Sequence, residues 1–99
     1  MYRMIIEMDE EKIIKDDEYY VEDVLSVIDS YFEESGIAKI QKGVYENSGD
    51  RLIKFLGIIT RLSKQEFFVR NVKKWLWYEN DEEIVSNDPQ NLIEKFSLN

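Results

Sequence analysis

The chain has 99 residues, enough for one domain with a hydrophobic core, and it is strongly acidic, with a net charge of −8. It contains no cysteine and no histidine, which excludes disulfides, thiolate and histidine zinc sites, and Ser-His-Asp or Cys-His catalysis. The hydrophobic fraction of 43% is typical of a folded chain, although 34% of the residues are charged. We therefore expect a single domain over residues 1–99.

The first predicted elements are a strand and a helix. Apolar side chains at every second position predict a strand over Tyr2–Met8 with one buried face. Residues 9–19 are mostly charged and are interpreted as a loop or a single irregular helical turn, without a firm assignment. From Val21 to Phe32 apolar residues recur at helical spacing, and Gly36 follows where the cap of a helix C-terminus is expected. This pattern predicts the first helix.

A β-hairpin is predicted next. Two apolar, strand-like runs over residues 37–45 and 52–62 are joined by residues 46–50, which are typical turn formers. Gly57, inside the second run, would mark a bulge or a close packing contact. The second run is apolar on both alternations, so both faces of that strand would need cover from a C-terminal helix, a second subunit or a partner.

The last predicted elements are helical. Ser63 and Glu66 have the spacing of a capping box, and the apolar stripe after them predicts a second helix that ends near Tyr78. Asp88 before Pro89 predicts the start of a short C-terminal helix.

The order of these elements predicts an α+β fold. A β-α-β-β-α chain folds most simply into two layers, with an antiparallel sheet, both long helices on one face and the short C-terminal helix added. If residues 83–86 add a fourth strand, the order becomes βαββαβ, as in ferredoxin-like folds. That topology hosts many functions, so it predicts none by itself.

The charges are segregated along the chain. Between Asp16 and Ala38 there are eight acidic residues and no basic one, which gives the first predicted helix an acidic outer face. Between Arg51 and Lys74 there are seven basic residues and one acidic residue. The acidic face supplies one candidate interaction surface, made of Glu22, Asp23, Asp29 and Glu33.

The second predicted helix supplies the leading candidate surface. On a helical wheel its basic residues and one tryptophan lie opposite the apolar stripe, and the surface consists of Arg70, Lys73, Lys74, Trp77 and Tyr78. Such a face could hold phosphate or an acidic partner. The alternative is that Trp77 is a packing residue covered by Leu92 and Phe96 of the C-terminal helix. Nucleic-acid binding is not expected, because a net charge of −8 repels polyanions.

No metal site, cofactor site or catalytic group is predicted. The carboxylate clusters near residues 9–11, 16–18 and 81–83 lack the ligand spacing and central glycine of an EF-hand. Tyr19 and Tyr20 form an aromatic pair that is interpreted as core packing, with a protein-binding hot spot as the alternative. Without histidine, cysteine or a recognisable catalytic constellation, an enzyme is not expected.

Three functional hypotheses follow from these features. The first is a non-enzymatic protein-interaction or regulatory module that binds a protein partner or forms a homodimer. The second is an acidic inhibitor or nucleic-acid mimic that acts on a basic partner through the acidic face. The third is a small-ligand-sensing ferredoxin-like domain, by analogy of fold. We expect a cytoplasmic location and no membrane contact, since the N-terminus lacks a long apolar stretch and the longest strongly apolar run, residues 55–59, is too short to span a bilayer.

Overall fold

The computed structural model describes residues 1–47, 52–80 and 82–83. In this part of the chain, four helices accompany an antiparallel sheet of five strands in the order β2-β3-β1-β4-β5. The elements in chain order are β1 (Tyr2–Met8), α1 (Glu10–Asp16), α2 (Val21–Glu34), β2 (Ala38–Gln41), β3 (Val44–Asn47), α3 (Leu52–Leu62), α4 (Glu66–Val69), β4 (Val72–Glu79) and β5 (Glu82–Glu83). The prediction of an α+β fold with an antiparallel sheet is confirmed.

Strand β1 is the centre of the sheet and has the predicted bounds. Its even-numbered side chains are buried, and the odd-numbered ones lie on the opposite, more exposed face. Met4 is paired with Tyr45 of β3 on one side and with Trp77 of β4 on the other. The alternation that predicted the strand therefore marks the face on which the core is built.

Helix α2 confirms the first predicted helix. Val24, Ile28 and Phe32 are buried, one turn apart, and the Phe32 ring stacks on Tyr45 with centroids 3.7 Å apart. The helix ends where predicted, because Gly36 adopts the left-handed conformation at φ +73° and the Ile37 N–H donates to the Phe32 carbonyl.

The unassigned segment 9–19 contains a short helix, α1. The Asp9 side chain caps its N-terminus by accepting from the Lys12 N–H at 3.1 Å, and Asp17 ends it in the left-handed conformation. Ile13 is its buried side chain. One buried residue in seven gives no periodicity, so sequence pattern could not identify this helix.

The predicted first strand of the hairpin, residues 37–45, is wrong as a single strand. It contains β2, a tight turn at Lys42–Gly43 and the start of β3. Gly43 has φ +75° and its carbonyl accepts from the Ile6 N–H at 2.8 Å, so the turn lies directly against β1. Of the predicted turn, Glu46 and Asn47 belong to β3, and residues 48–50 lie outside the described residues.

The predicted second strand, residues 52–62, is a helix. Phe55, Ile58, Ile59 and Leu62 are fully buried at the spacing i, i+3, i+4 and i+7. The apolar stripe of a helix occupies both odd and even positions, so the same run, taken as a strand, is apolar on both faces. Gly57 lies on the exposed side of α3 and marks no bulge. The argument for a second subunit that rested on a two-faced strand is thereby removed.

The predicted second helix is also wrong over most of its length. Helix α4 is only four residues long, and the chain is extended from Val72, so Trp75 and Trp77 share the buried face of β4. The N-cap of α4 is Gln65, without a side-chain bond, and not the predicted Ser63. Arg70 is the C-cap of α4, and the side chain of buried Asn71, the next residue, donates to the Phe67 carbonyl at 2.9 Å.

The remaining predictions concern the C-terminal region. Residues 84–86 of the possible fourth strand and the predicted C-terminal helix from Asp88 lie outside the described residues. Residues 82–83 form the short β5. Within the described ranges, no helix is long and apolar enough to cross a membrane.

Candidate functional site

The predicted basic surface is not formed as a single face. Arg70 lies at the end of α4, where it donates to Glu18 at 2.8 Å and to Glu66 at 3.3 Å. The charge of Glu18 raises the pKa of Arg70 above its ordinary value. Arg70 thus links α4 to the segment between α1 and α2, and its charge is offset within the protein.

The other four residues lie on β4, where strand geometry does not bring them together on one face. Lys74 and Tyr78 share the face opposite the helices, where they are paired with Glu7 and Arg3 of β1. Lys73 is exposed at the position where the register with β1 shifts. Neighbours on a strand point to opposite faces, so the shared basic face deduced from a helical wheel is wrong as an arrangement. A role for any one of these residues in partner binding stays a prediction.

Trp77 is a core residue. It is 2% exposed on the helix-covered face of β4, with ring centroids 6.2 Å from Phe55 and 6.5 Å from Tyr2. This confirms burial of Trp77, the alternative interpretation, although the residues expected to cover it, Leu92 and Phe96, lie outside the described residues. An aromatic platform for bases is therefore absent from this position.

The predicted acidic face of α2 is present, with one exception. Glu22, Asp23 and Glu33 are exposed on the outer side of the helix. Asp29 is instead turned toward the sheet, where it accepts from Lys39 at 2.8 Å and from the Tyr45 hydroxyl at 2.5 Å. Three of the four predicted residues therefore remain available to a partner.

The Tyr45 hydroxyl is the most perturbed acidic group in this region. Burial, together with its bond to the Asp29 carboxylate, raises the pKa of Tyr45 well above its ordinary value. The hydrogen bond joins β3 to α2 beside the stacked Phe32 ring. This contact is structural and holds Asp29 away from the outer side of the helix.

Tyr45→Phe tests this contact through its pH dependence. The unfolded chain ionises Tyr45 near its ordinary pKa of about 10, whereas the folded chain keeps the proton. The Tyr45 contribution to the free energy of unfolding is therefore complete below about pH 10 and is lost as the pH rises further. We expect the unchanged protein to lose more stability than Tyr45→Phe between about pH 9 and about pH 11 in urea denaturation. Equal losses would show that Tyr45 ionises normally.

The acidic face continues beyond α2. Asp16 and Asp17 at the end of α1 are exposed, and the side chain of Tyr20, between the two helices, is 78% exposed. We call the acidic surface the set of Asp16, Asp17, Tyr20, Glu22, Asp23, Glu33 and Glu34. None of its carboxylates has an ion-pair partner among residues 1–47, 52–80 and 82–83. For Tyr20, the prediction of core packing is wrong.

A second feature, a cleft of about 360 Å³, lies between α2, the end of β1 and the β2–β3 turn. Its lining combines apolar side chains with three lysines and three carboxylates. The sequence did not predict it, because its residues come from four segments that are separated along the chain.

Sequence comparison gives no guide to these features. No protein-family model matches the chain, and no curated protein is detectably similar to it in sequence. Among the described residues there is no group of three or more carboxylates placed to hold a metal ion. The chemistry of the acidic surface and of the cleft is therefore the basis for functional inference.

Proposed function

We propose that this protein is a non-enzymatic interaction module that binds a basic protein partner through the acidic surface. The observation that carries the proposal is the set of exposed carboxylates without ion-pair partners in the described part of the chain, next to the exposed Tyr20 ring. Unpaired charges of one sign attract a partner of the opposite sign and accelerate its encounter. A tyrosine beside them supplies the apolar contact area that charged residues lack.

The same surface argues against two other occupants. A second copy of the chain would bring like charges together across an interface through this face, which costs free energy. Nucleic acid would be repelled for the same reason. The partner is therefore a protein with a basic patch. If that patch normally binds phosphate groups, the module acts as an inhibitor that mimics nucleic acid; if not, it acts as an adaptor or regulator.

We also infer a ferredoxin-like variant as the fold that presents this surface. The sheet order supports it, because β1 lies between β3 and β4 while β3 lies between β1 and β2, so that two β-α-β units interleave. In such an arrangement the two long helices form one layer on one face of the sheet, and the outer side of α2 remains open. A cytoplasmic location remains part of the proposal, and cell fractionation tests it.

The proposal is tested by charge reversal on the acidic surface. Glu22→Lys combined with Glu33→Lys is expected to weaken partner binding by about tenfold or more, because two attractive charges become repulsive. The partner is obtained by affinity capture from the source cell and identified by mass spectrometry, and its binding is then measured at several salt concentrations. Binding to the unchanged protein should weaken as salt increases.

A matched control variant makes the same change in net charge at residues outside the acidic surface. Glu79→Lys with Glu82→Lys alters two exposed residues of β4 and β5 and should leave the affinity close to that of the unchanged protein. Thermal unfolding of both variants checks the fold, since a lysine at position 22, in the first turn of α2, costs at most about 1 kcal/mol. Equal weakening by both pairs would mean that net charge alone governs binding, and no weakening by either would reject the acidic surface.

A further inference from the structure

The cleft between α2, the end of β1 and the β2–β3 turn has an apolar floor. Ile6, Met8, Ile28 and Tyr45 are buried side chains that line it, and Leu25 is partly exposed there. The volume of about 360 Å³ is close to the lower end of the range for small-molecule sites, about 300–1,000 Å³. A ligand with a compact apolar part would therefore fill the floor.

Charged residues of both signs surround this floor in equal number. Lys39 is paired with Asp29 at 2.8 Å, Lys42 with Glu10 at 2.8 Å, and Lys74 with Glu7 at 4.0 Å. These six charges sum to zero, in a protein whose net charge is −8. A ligand with a net charge of either sign gains little from such a neutral set of charges.

The pair of Lys42 and Glu10 contains the most exposed of the three lysines that line the cleft. Their side chains are 65% and 40% exposed, and an exposed ion pair of this kind contributes only about 0–1 kcal/mol. The two residues lie on different elements, the β2–β3 turn and the first turn of α1. Small side-chain rotations open the pair without a change in the backbone.

We propose that this cleft binds a free amino acid with an apolar side chain. The ligand carboxylate accepts from the Lys42 ammonium, the ligand ammonium donates to the Glu10 carboxylate, and the side chain rests on the apolar floor. One protein ion pair is then replaced by two, so neither Lys42 nor Glu10 is left without a counter-charge. A simple carboxylic acid or a simple amine would leave one of them unpaired.

The proposal goes beyond protein binding and uses other residues. Glu10 and Lys42 do not belong to the acidic surface, and Glu22 and Glu33 do not line the cleft. Loss of ligand binding and loss of partner binding are therefore separate results.

The test is an NMR titration of the full chain with L-leucine, L-methionine and L-phenylalanine. For at least one of them we expect saturable amide shifts confined to the lining residues, such as Ile28 and Gly43. Two analogues of the amino acid that binds best each lack one charge; for leucine they are 4-methylpentanoate, which has no ammonium, and 3-methylbutylamine, which has no carboxylate. Each analogue is expected to bind about tenfold more weakly or worse than its parent amino acid, the loss expected when one charged partner is removed. Absence of saturable shifts with all three amino acids overturns the proposal, as does equal binding of either analogue.

Substitutions at the rim complete the test. Lys42→Gln and Glu10→Gln each remove one charge from an exposed side chain and should each weaken amino-acid binding by about tenfold or more. Lys73→Gln, an exposed residue that does not line the cleft, is the matched control and should bind like the unchanged protein. The one-dimensional spectrum of each variant confirms that it is folded. If folded Lys42→Gln and Glu10→Gln bind as tightly as the control, the assignment of the cleft is wrong.

Discussion

Trp77→Ala is expected to destabilise the protein by about 3–5 kcal/mol, because truncation of a buried tryptophan leaves a large cavity. Trp77 is 2% exposed and packs against both Tyr2 and Phe55 on the face of the sheet that the helices cover. Small domains have a total stability of only about 5–15 kcal/mol, so this one change removes a large part of it. Urea denaturation followed by far-ultraviolet circular dichroism measures the loss.

Two further variants serve as controls for Trp77→Ala. Lys73→Ala, four positions away on the same strand and exposed, should change the stability by no more than about 0.5 kcal/mol. Trp77→Phe keeps most of the buried ring and should lose less than the alanine variant. A Trp77→Ala protein that stays as stable as Lys73→Ala would contradict the core position, and it would restore Trp77 as a candidate for partner contact.

Gly43→Ala is expected to cost at least about 2 kcal/mol, for two independent reasons. The residue has φ +75°, a conformation that L-residues with a Cβ adopt at a cost of about 1–2 kcal/mol. An added Cβ would also overlap the carbonyl oxygen of Ile6, so the turn would have to move away from β1. The bond from the Ile6 N–H to the Gly43 carbonyl, 2.8 Å long, would then be disturbed.

Gly57→Ala is the matched glycine substitution and should have the opposite sign. Gly57 lies inside α3 on its exposed side, and nothing lies within 4 Å of an added Cβ. Alanine there should stabilise the protein by about 0.5–1 kcal/mol, because glycine loses more backbone entropy in a helix. Chemical denaturation of the two variants separates them clearly. Destabilisation by Gly57→Ala would favour the strand that the sequence predicted for this segment.

The two proposed binding sites, the acidic surface and the cleft, lie on two sides of α2. Asp29 separates them, since it belongs to α2 but is held toward the sheet by Lys39 and Tyr45. The remaining outer carboxylates face away from the sheet and are free of ion pairs within the described ranges. One helix therefore carries residues of the proposed partner surface on its outer side and contributes Leu25 and Ile28 to the cleft on its inner side.

The part of the acidic surface that lies on α2 could be predicted from sequence, because a single helix carries it. A single periodicity placed Glu22, Asp23 and Glu33 together, and it did not depend on any other element. The prediction of the basic surface was correct only if its residues formed a helix. From residue 72 the chain forms a strand instead, so Lys74 and Trp77 point to opposite faces of the sheet. The cleft could not be predicted at all, because Lys42 and Glu10 meet only through the packing of the β2–β3 turn against β1.

The sequence by itself determined β1 and α2, since each has a clear period and α2 has a glycine at its end. Only the tertiary structure decided that residues 52–62 form a helix and residues 72–79 form a strand. In both, bulky apolar residues are so frequent that the spacing of either a helix or a strand can be found. The pairing of Trp75 and Trp77 with Ile6 and Met4 resolves the second segment, and the burial of Phe55, Ile58, Ile59 and Leu62 resolves the first. Long-range packing selects between two local patterns of similar strength, and a local pattern contains no information about that packing.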